Sequence, residues 1–399
     1  MPITLLLDLD DTLLNTNMDV FIPAYFKALS GALADMIAPE VMLPALMDGT
    51  KSMMVNLDPA LTLQEVFDAH FFPRLNIDRS ILQPRIDRFY EEEFPKLGAL
   101  TSPIPAAIRL VDWAFEEGLR VVIATNPLFP LKAIQHRMRW AGLPPEKYPF
   151  ELVTSYENMH FTKETVAYYP EMLAQLGWPD EPTVMVGDDI EREVKPTRAA
   201  GLQVFWVRKP GEVTAQADGS IPQGPLEALR GWLEKTDPAS LTVSFDTPQS
   251  LLANLRSTPA GLATLTGSLH PAAWKRPPAP NEWSLNEVIC HLRDVEREVN
   301  LPRLRKVLAE KNPFLVGEVT DVWVKERHCA EQDGHQALVE FTAARKETLV
   351  LLDALQSEWS RPARHAIFGP TSLQELMGFV AGHDRVHIQQ VWKTIRAGI

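Results

Sequence analysis

Residues 3–12 read ITLLLDLDDT, a short apolar run that ends in a cluster of acidic side chains. Apolar runs of this length are typical of a strand that is buried on both faces of a parallel sheet. In an open parallel sheet, ligands bind beyond the carboxyl ends of the strands. The sequence therefore predicts a buried first strand with Asp8 and Asp10 at the sheet edge where chemistry takes place.

Three more apolar runs follow, and helical patterns alternate with them. The apolar runs are RVVIA at 120–124, TVMVG at 183–187 and QVFWV at 203–207. The helical patterns lie at 104–117, 130–141, 164–176 and 191–200. Strands that alternate with helices predict βαβ units and an α/β Rossmann-like core with a parallel sheet. Between 17 and 100 no strong strand appears, and stretches such as 19–37 and 80–97 look helical. This insertion after the first strand is long enough to form a small helical cap.

The second half of the chain has a different character. After a closing helix at 225–235, the polar segment 236–248 contains two prolines, and four long helical patterns follow at 248–268, 284–310, 333–357 and 371–396. Residues 1–247 carry 21 basic and 35 acidic side chains, whereas 248–399 carry 18 and 17. We therefore predict a first domain at 1–236, a linker at 237–247 and an all-α four-helix bundle at 248–399.

Composition excludes several functional classes. The net charge of −13 over 399 residues argues against binding to a nucleic-acid backbone. No apolar run approaches the roughly 20 residues that span a bilayer, and the N-terminus lacks the basic region of a signal peptide. The two cysteines cannot form a disulfide framework. We expect a cytoplasmic protein with neither a nucleic-acid nor a membrane partner.

Polar residues also follow the other predicted strands. Thr125 and Asn126 end the second run, Asp188 and Asp189 end the third, and Lys163 opens the helical stretch between them. Four polar clusters at strand or loop ends would be a large coincidence in a purely structural sheet, so we expect these residues to form a site. Acidic residues at strand ends also cap helices, and for Asp189 and Glu193 that role is equally consistent with the sequence.

Residues 1–236 resemble the haloacid-dehalogenase-like (HAD) hydrolase superfamily. DLDDT at 8–12 matches the DxDxT motif of that family, and the hydroxyl, lysine and acidic motifs fall on Thr125, Lys163 and Gly187-Asp188-Asp189. The sequence departs from the family in two places: Glu164 stands where a proline is usual, and Glu193 stands where many relatives have aspartate.

The resemblance implies a role for each matched residue. Asp8 would attack phosphorus to give an aspartyl-phosphate, and Asp10 would act as the general acid and then the general base. Thr125 and Lys163 would hold the phosphoryl oxygens. Asn126 would contact the substrate. The implied Mg²⁺ ligands are the Asp8 carboxylate, the Asp10 carbonyl, Asp188 and, as a more distant contact, Asp189.

Asp10 bears on the type of reaction. Halide leaves without protonation, so a dehalogenase needs no acid at this position, and a phosphatase acting on a small phosphorylated metabolite is favoured. A phosphomutase shares the aspartyl-phosphate and stays open as an alternative. The cap suits a small substrate because a cap excludes water and contacts the leaving group.

The bundle contains a second group of candidate site residues. His383 and His387 lie one helical turn apart in GHDRVHIQQ, and His291 lies in EWSLNEVICHL on an apolar helical face. These segments resemble the DinB-like family over 248–399, which implies that the three histidines bind a second divalent metal, with Zn²⁺ and Ni²⁺ as candidates. Three alternatives stay open. The histidines could be core residues without a metal, the bundle could supply the main activity as a metal-dependent transferase or hydrolase, or it could be a non-catalytic dimerisation or metal-sensing module. A homodimer through the bundle is compatible with each of them.

Overall fold

The computed structural model describes residues 3–209 and 220–398. Its contacts divide the chain into two compact units. The first consists of residues up to Asn56, Leu61–Thr165 and Glu181–Val243; the second consists of Leu57–Ala60, Val166–Asp180 and Ser244–Ile399. The segment 166–180 thus packs with the C-terminal helices, although the sequence analysis places it in the first domain. The predicted domain boundaries remain a prediction.

A six-stranded parallel sheet forms the centre of the first unit. Its strands are β1 Thr4–Leu7, β2 Arg120–Ile123, β3 Leu152–Val153, β4 Thr183–Gly187, β5 Gln203–Val207 and β6 Gln223–Gly224. The order across the sheet is β3-β2-β1-β4-β5-β6. β1 pairs with β2 on one side and β4 on the other, so that Leu7 lies opposite both Ile123 and Val186. All four residues of β1 are buried because helices cover both faces.

The insertion after β1 is a helical cap, as predicted. It contains α1 Met18–Leu33, α2 Pro39–Met54, α3 Leu63–Leu75 and α4 Arg79–Arg88, followed by a π-helical turn at Phe89–Glu93 and a 3₁₀ helix at Phe94–Leu100. Its core is rich in aromatic rings, among them Phe21, Tyr25 and Phe94. Both ends of the insertion pass through a two-stranded antiparallel sheet, in which Leu14–Thr16 pairs with Thr101–Pro103. The sequence analysis missed this small sheet because each strand has only three residues.

The remaining helices of the first half follow the predicted alternation closely. They are α5 Pro105–Glu116, α6 Leu131–Trp140, α7 Tyr168–Gln175 of the second unit, α8 Lys195–Ala199 and α9 Ala228–Leu233. The stretch predicted as one helix at 191–200 begins instead as a π-helical turn, Ile190–Val194, and becomes α-helical at Lys195. The cause is Pro196, which lacks the N–H that an α-helix would use and crowds the carbonyl four residues earlier. Widening the preceding turn relieves that crowding.

The second unit is a helical bundle with short additions. Its helices are α10 Pro248–Thr266, α11 Pro271–Trp274, α12 Leu285–Val295, α13 Leu301–Ala309, α14 Val322–Glu326, α15 Gly334–Asp353 and α16 Leu373–Ala397. α12 and α13 form one long helical stretch with a π turn at Glu296–Asn300, just before Pro302. A three-stranded sheet of Phe314–Leu315, Pro362–His365 and Gly369–Ser372 was not predicted. Within the described residues, no helix is both long enough and apolar enough to cross a lipid bilayer.

A buried network of ion pairs and hydrogen bonds joins four helical segments of the bundle. The Arg345 guanidinium donates to Asp384 Oδ2 at 2.6 Å, to Glu296 Oε2 at 2.9 Å and to the carbonyl of Leu255 at 3.1 Å. Thr348 Oγ1 donates to the second Glu296 oxygen at 2.6 Å. Ionised groups withdrawn from water this completely are tolerated only when they are paired and hydrogen-bonded.

We predict that Arg345→Met destabilises the bundle by about 3–5 kcal/mol, because it leaves two carboxylates buried without their cation. The measurement is the urea unfolding midpoint, followed by circular dichroism. The matched control is Arg305→Met, which breaks an Arg–Glu pair with Glu347 in which both side chains are more than half exposed, at 58% and 60%. The control should cost at most about 1 kcal/mol. Equal shifts for the two variants would contradict the prediction.

Candidate active site and metal centre

A cavity of about 320 Å³ lies beyond the carboxyl ends of β1 and β4. Its walls include every site residue predicted for the first domain, namely Asp8, Asp10, Thr125, Asn126, Lys163, Asp188 and Asp189. Asp8 directly follows β1 and Asp188 directly follows β4. The parallel pairing of these neighbouring strands is what brings the two carboxylates together.

The ammonium of Lys163 lies between two carboxylates. Its Nζ is 2.6 Å from Asp8 Oδ1 and 2.7 Å from Glu193 Oε1. All three residues are buried, with exposed fractions of 1% for Lys163, 5% for Asp8 and 3% for Glu193. The lysine therefore fixes one oxygen of each carboxylate from inside the protein.

Glu193 is the residue whose role the sequence left undecided. The π turn carries its side chain into the site, where Oε2 accepts a hydrogen bond from the Asp189 amide at 3.0 Å. A Cβ atom at Gly187 would lie 1.9 Å from the same oxygen, so any side chain there would displace the Glu193 carboxylate from this position. Burial and then repulsion by Asp8 raise the pKa of Glu193 well above its usual range, although Lys163 opposes them. The site thus holds more negative charge than one ammonium offsets.

Asp8, Asp188 and Glu193 form a group that fits a hard cation. One carboxylate oxygen from each lies within 4.8 Å of the others. Burial, and then the charges of Asp8 and Asp11, raise the pKa of Asp188 to about 7. Mg²⁺ favours oxygen ligands of this kind, and its charge would offset the repulsion among them.

Asp189 has different contacts from those predicted. Its Oδ1 accepts from the amides of Glu191 at 2.8 Å and Arg192 at 3.0 Å, and its Oδ2 accepts from Arg192 Nε at 2.7 Å. These are the contacts of a helix N-cap. They occupy both oxygens, so they do not favour the prediction that Asp189 helps to bind the metal.

The Asp10 carboxylate is held on both sides. Thr16 Oγ1 donates to Asp10 Oδ1 at 2.9 Å, and the guanidinium of Arg137 pairs with Oδ2. Arg137 is buried, and burial lowers its pKa to about 10 although Asp8 opposes the shift. The sequence analysis missed Arg137. The available signal was a charged residue on the apolar face of α6, between Ile134 and Ala141.

Asn126 and Glu164 stabilise the loop that carries Lys163. The Lys163 amide donates to Asn126 Oδ1 at 3.2 Å, and Asn126 Nδ2 donates to Glu164 Oε1 at 3.1 Å. Glu164 stands where a proline is usual in the resembled family, and here its carboxylate orients the amide of Asn126. Thr125 is buried beside them and lines the cavity.

The three histidines predicted in the second unit converge. His383 Nε2 lies 3.1 Å from His291 Nε2 and 3.1 Å from His387 Nε2. Zinc–nitrogen bonds of about 2.0–2.1 Å at a tetrahedral ion place two nitrogens roughly 3.3 Å apart. The spacing therefore fits one divalent ion bound by three imidazoles.

The histidine cluster favours the neutral imidazoles that bind metals. Burial, and then the neighbouring histidines, lower the pKa of His291 to about 4 and that of His387 to about 3. His387 Nδ1 lies 3.0 Å from Gln390 Oε1, which assigns the proton to Nδ1 and leaves the Nε2 lone pair facing the cluster. The Trp283 ring lies parallel to the His387 ring, with a centroid separation of 5.9 Å.

Two protein-family models match the chain. The model of the haloacid dehalogenase-like hydrolases matches residues 5–207, and the model of the DinB superfamily matches residues 254–391. The first match contains the cavity with the three carboxylates, and the second contains all three clustered histidines. No protein of curated function matches the chain.

Solved structures resemble each half. The HAD phosphatase from Thermococcus onnurineus is 18% identical over 58% of this chain and 98% of its own, with a TM-score of 0.37. The 2-haloacid dehalogenase from Pseudomonas syringae pv. Tomato DC3000 is 18% identical over 59% and 99%, with a TM-score of 0.42. YfiT from Bacillus subtilis, a four-helix bundle, is 18% identical over 39% and 89%, with a TM-score of 0.35.

We predict that His383→Ala loses most of the transition metal that the purified protein retains after dialysis, because His383 lies between the other two imidazoles. The measurement is metal content per chain by mass spectrometry. His335→Ala is the matched control, since this exposed histidine of the same unit lies outside the cluster. Equal metal content in the two variants would contradict the prediction.

Proposed function

Because the chain belongs to the haloacid dehalogenase-like hydrolase family, we propose that its first unit is a metal-dependent phosphatase acting on a small phosphorylated metabolite. The observation that carries this proposal is the contact of Lys163 with both Asp8 and Glu193, in a cavity that also holds Asp10. A nucleophile, a cation for phosphoryl oxygens and a separate carboxylic acid are the minimum set for hydrolysis of a phosphate ester.

In the proposed reaction, an Asp8 oxygen attacks phosphorus and the bond to the substrate's alcohol oxygen breaks. Lys163 holds Asp8 and offsets the charge that develops on the phosphoryl oxygens. Water then attacks the aspartyl-phosphate, which releases inorganic phosphate and regenerates the Asp8 carboxylate. Burial of Asp8 and Lys163 keeps this charge interaction strong, because few water molecules screen it.

Asp10 would give its proton to the departing alcohol and take one from the attacking water. Thr16 and Arg137 hold the carboxylate in one orientation. The oxygen that exchanges the proton must first release its contact with Thr16 or Arg137. This acid is what favours an oxygen leaving group over a halide. The apolar side chains of Met18, Ile22 and Phe129 line the same cavity and would contact the organic part of the substrate.

Asp8, Asp188 and Glu193 would bind Mg²⁺, with the Asp10 carbonyl as the further ligand that the resemblance implies. The ion would let an anionic carboxylate approach an anionic phosphate. In this ligand set Glu193 takes the place of Asp189, which the sequence analysis had predicted as a ligand.

The second unit is a DinB-like bundle that follows the hydrolase domain in the same chain. Metal-dependent transferase or hydrolase chemistry is the second candidate function. It is favoured by a cavity beside His383, which would give a substrate access to the metal. The choice between Zn²⁺ and Ni²⁺ depends on metal supply more than on the three imidazoles.

We predict that Asp8→Asn abolishes release of phosphate from p-nitrophenyl phosphate and from a panel of phosphorylated metabolites in the presence of Mg²⁺. Asp10→Asn should slow alkyl phosphates by about 10²–10⁴-fold and p-nitrophenyl phosphate much less, because nitrophenolate leaves without protonation. Asp35→Asn is the control, since Asp35 is an exposed residue that pairs with Arg85 on the cap surface.

Two results would refute the phosphatase proposal. One is full activity in Asp8→Asn. The other is release of halide from 2-haloacids without release of phosphate from any member of the panel. If His387→Ala loses activity and Asp8→Asn keeps it, the activity belongs to the second unit.

We also predict that Mg²⁺ binds more weakly as the pH falls below about 7. The pKa of Asp188 is raised to about 7, so protons compete with the cation for this carboxylate at and below that pH. Above pH 7 Asp188 is ionised and the apparent affinity should level off. The measurement is the Mg²⁺ concentration for half-maximal activity at pH 6, 7 and 8. An affinity that is constant across this range would contradict the prediction.

A further inference from the structure

A second cavity, of about 330 Å³, lies in the bundle beside His383. This volume is at the lower end of the range for small-molecule sites, roughly 300–1,000 Å³. Most of its wall is apolar, with Leu304, Met377 and Val380 among the lining residues. Arg303 and His365 are among the polar side chains that also line it. Neither has a role in the function proposed for the first unit.

His365 has a hydrogen-bond donor without a partner. The residue is 4% exposed, and its Nδ1 accepts from the amides of Ile367 at 3.2 Å and Phe368 at 3.4 Å. An Nδ1 atom that accepts carries no proton, so the proton of the neutral ring is on Nε2. Nε2 is buried and has no hydrogen-bond partner among the described residues. An unpaired buried donor costs free energy, and a ligand that accepts from it would recover that cost.

Arg303 supplies donors and a positive charge to the same cavity. Its guanidinium carries five N–H groups, and Nη2 donates to the carbonyl of Val316. Burial lowers the pKa of Arg303, although Glu318 opposes the shift. A guanidinium that is half-buried in an apolar cavity binds a carboxylate with two parallel hydrogen bonds.

The cavity has aromatic rings in its wall that are open to solvent. Phe368 and Phe379 stack with a centroid separation of 3.9 Å, yet they are 49% and 44% exposed. Exposed rings beside a cavity are typical of a site that contacts an apolar ligand. Glu318 also lines this cavity and interacts with Arg303, so a bound carboxylate would share that guanidinium with it, and a second anionic group would find no free cation there.

We propose that this cavity binds a small organic monocarboxylate with an aromatic or branched apolar body. The carboxylate accepts from His365 Nε2 and from Arg303, and the apolar body packs against Phe368 and Phe379. His383 lines the same cavity, so the bound molecule lies next to the histidine cluster. The proposal is independent of phosphatase activity in the first unit.

The test uses 4-phenylbutyrate and its neutral analogue 4-phenylbutyramide as probes, with the full-length protein and isothermal titration calorimetry. The carboxylate should bind at least about tenfold more tightly than the amide, because hydrogen bonds to a charged group are the stronger ones. Equal affinities would overturn the proposal.

Four variants test the two donors. His365→Asn keeps an acceptor for the two backbone amides and removes the Nε2 donor, so 4-phenylbutyrate should bind about tenfold more weakly. His365→Gln places an amide N–H close to the position of Nε2 and should recover most of the loss. Arg303→Gln should weaken binding by a similar factor. Arg305→Gln, on the same helix but in an exposed pair with Glu347, is the control and should bind as the native protein does.

A carboxylate that binds the metal directly would behave differently. Removal of the metal by a chelator would then abolish binding, and His365→Asn would leave it unchanged; that pattern overturns the proposal. Thermal unfolding identifies any variant that fails to fold. If His365→Asn is such a variant, the comparison of His365→Gln and Arg303→Gln with Arg305→Gln decides.

Discussion

Repulsion among buried carboxylates is the constraint on which the first unit depends. β1 and β4 are neighbours, so the acidic residues that follow them converge whether or not a ligand is present. Lys163 offsets part of that charge through its contacts with Asp8 and Glu193. The remaining repulsion appears in the raised pKa values of Asp188 and Glu193. A site with this imbalance favours the binding of a divalent cation.

The sequence was sufficient to predict the four central strands of the sheet, the cap and the convergence of seven polar side chains; the two edge strands, β3 and β6, have only two residues each and were not predicted. A continuous apolar run shows where a buried strand ends, and the residues directly after it lie at the edge of the sheet. Both can be located from the local sequence alone. The contacts of Asp189 and Glu193 could not be predicted in the same way. They depend on a widened turn before Pro196 and on the absence of a side chain at Gly187, and neither feature has a periodic signature.

In the bundle, too, a contact between residues close in sequence could be predicted, whereas contacts between residues far apart in sequence could not. His383 and His387 are one turn apart on a helix, so their common direction could be predicted from spacing alone. The pairing of Arg345 with Glu296 and Asp384 joins residues 49 and 39 positions apart and was not predicted. Asp384 immediately follows His383, so the network also fixes the turn of α16 that carries two of the three imidazoles. The short strand Pro362–His365 was missed because four residues show too little alternation.

The two-stranded sheet at the base of the cap makes it easy for related proteins to differ in their caps. Leu14 lies opposite Pro103, so the chain leaves the hydrolase core and returns to it at adjacent points. An insertion whose ends are adjacent imposes almost no loop-closure constraint on what is inserted. A different insertion between the same two strands would therefore change the cap residues that line the cavity, such as Met18 and Ile22, and leave the residues that follow β1 and β4 in place.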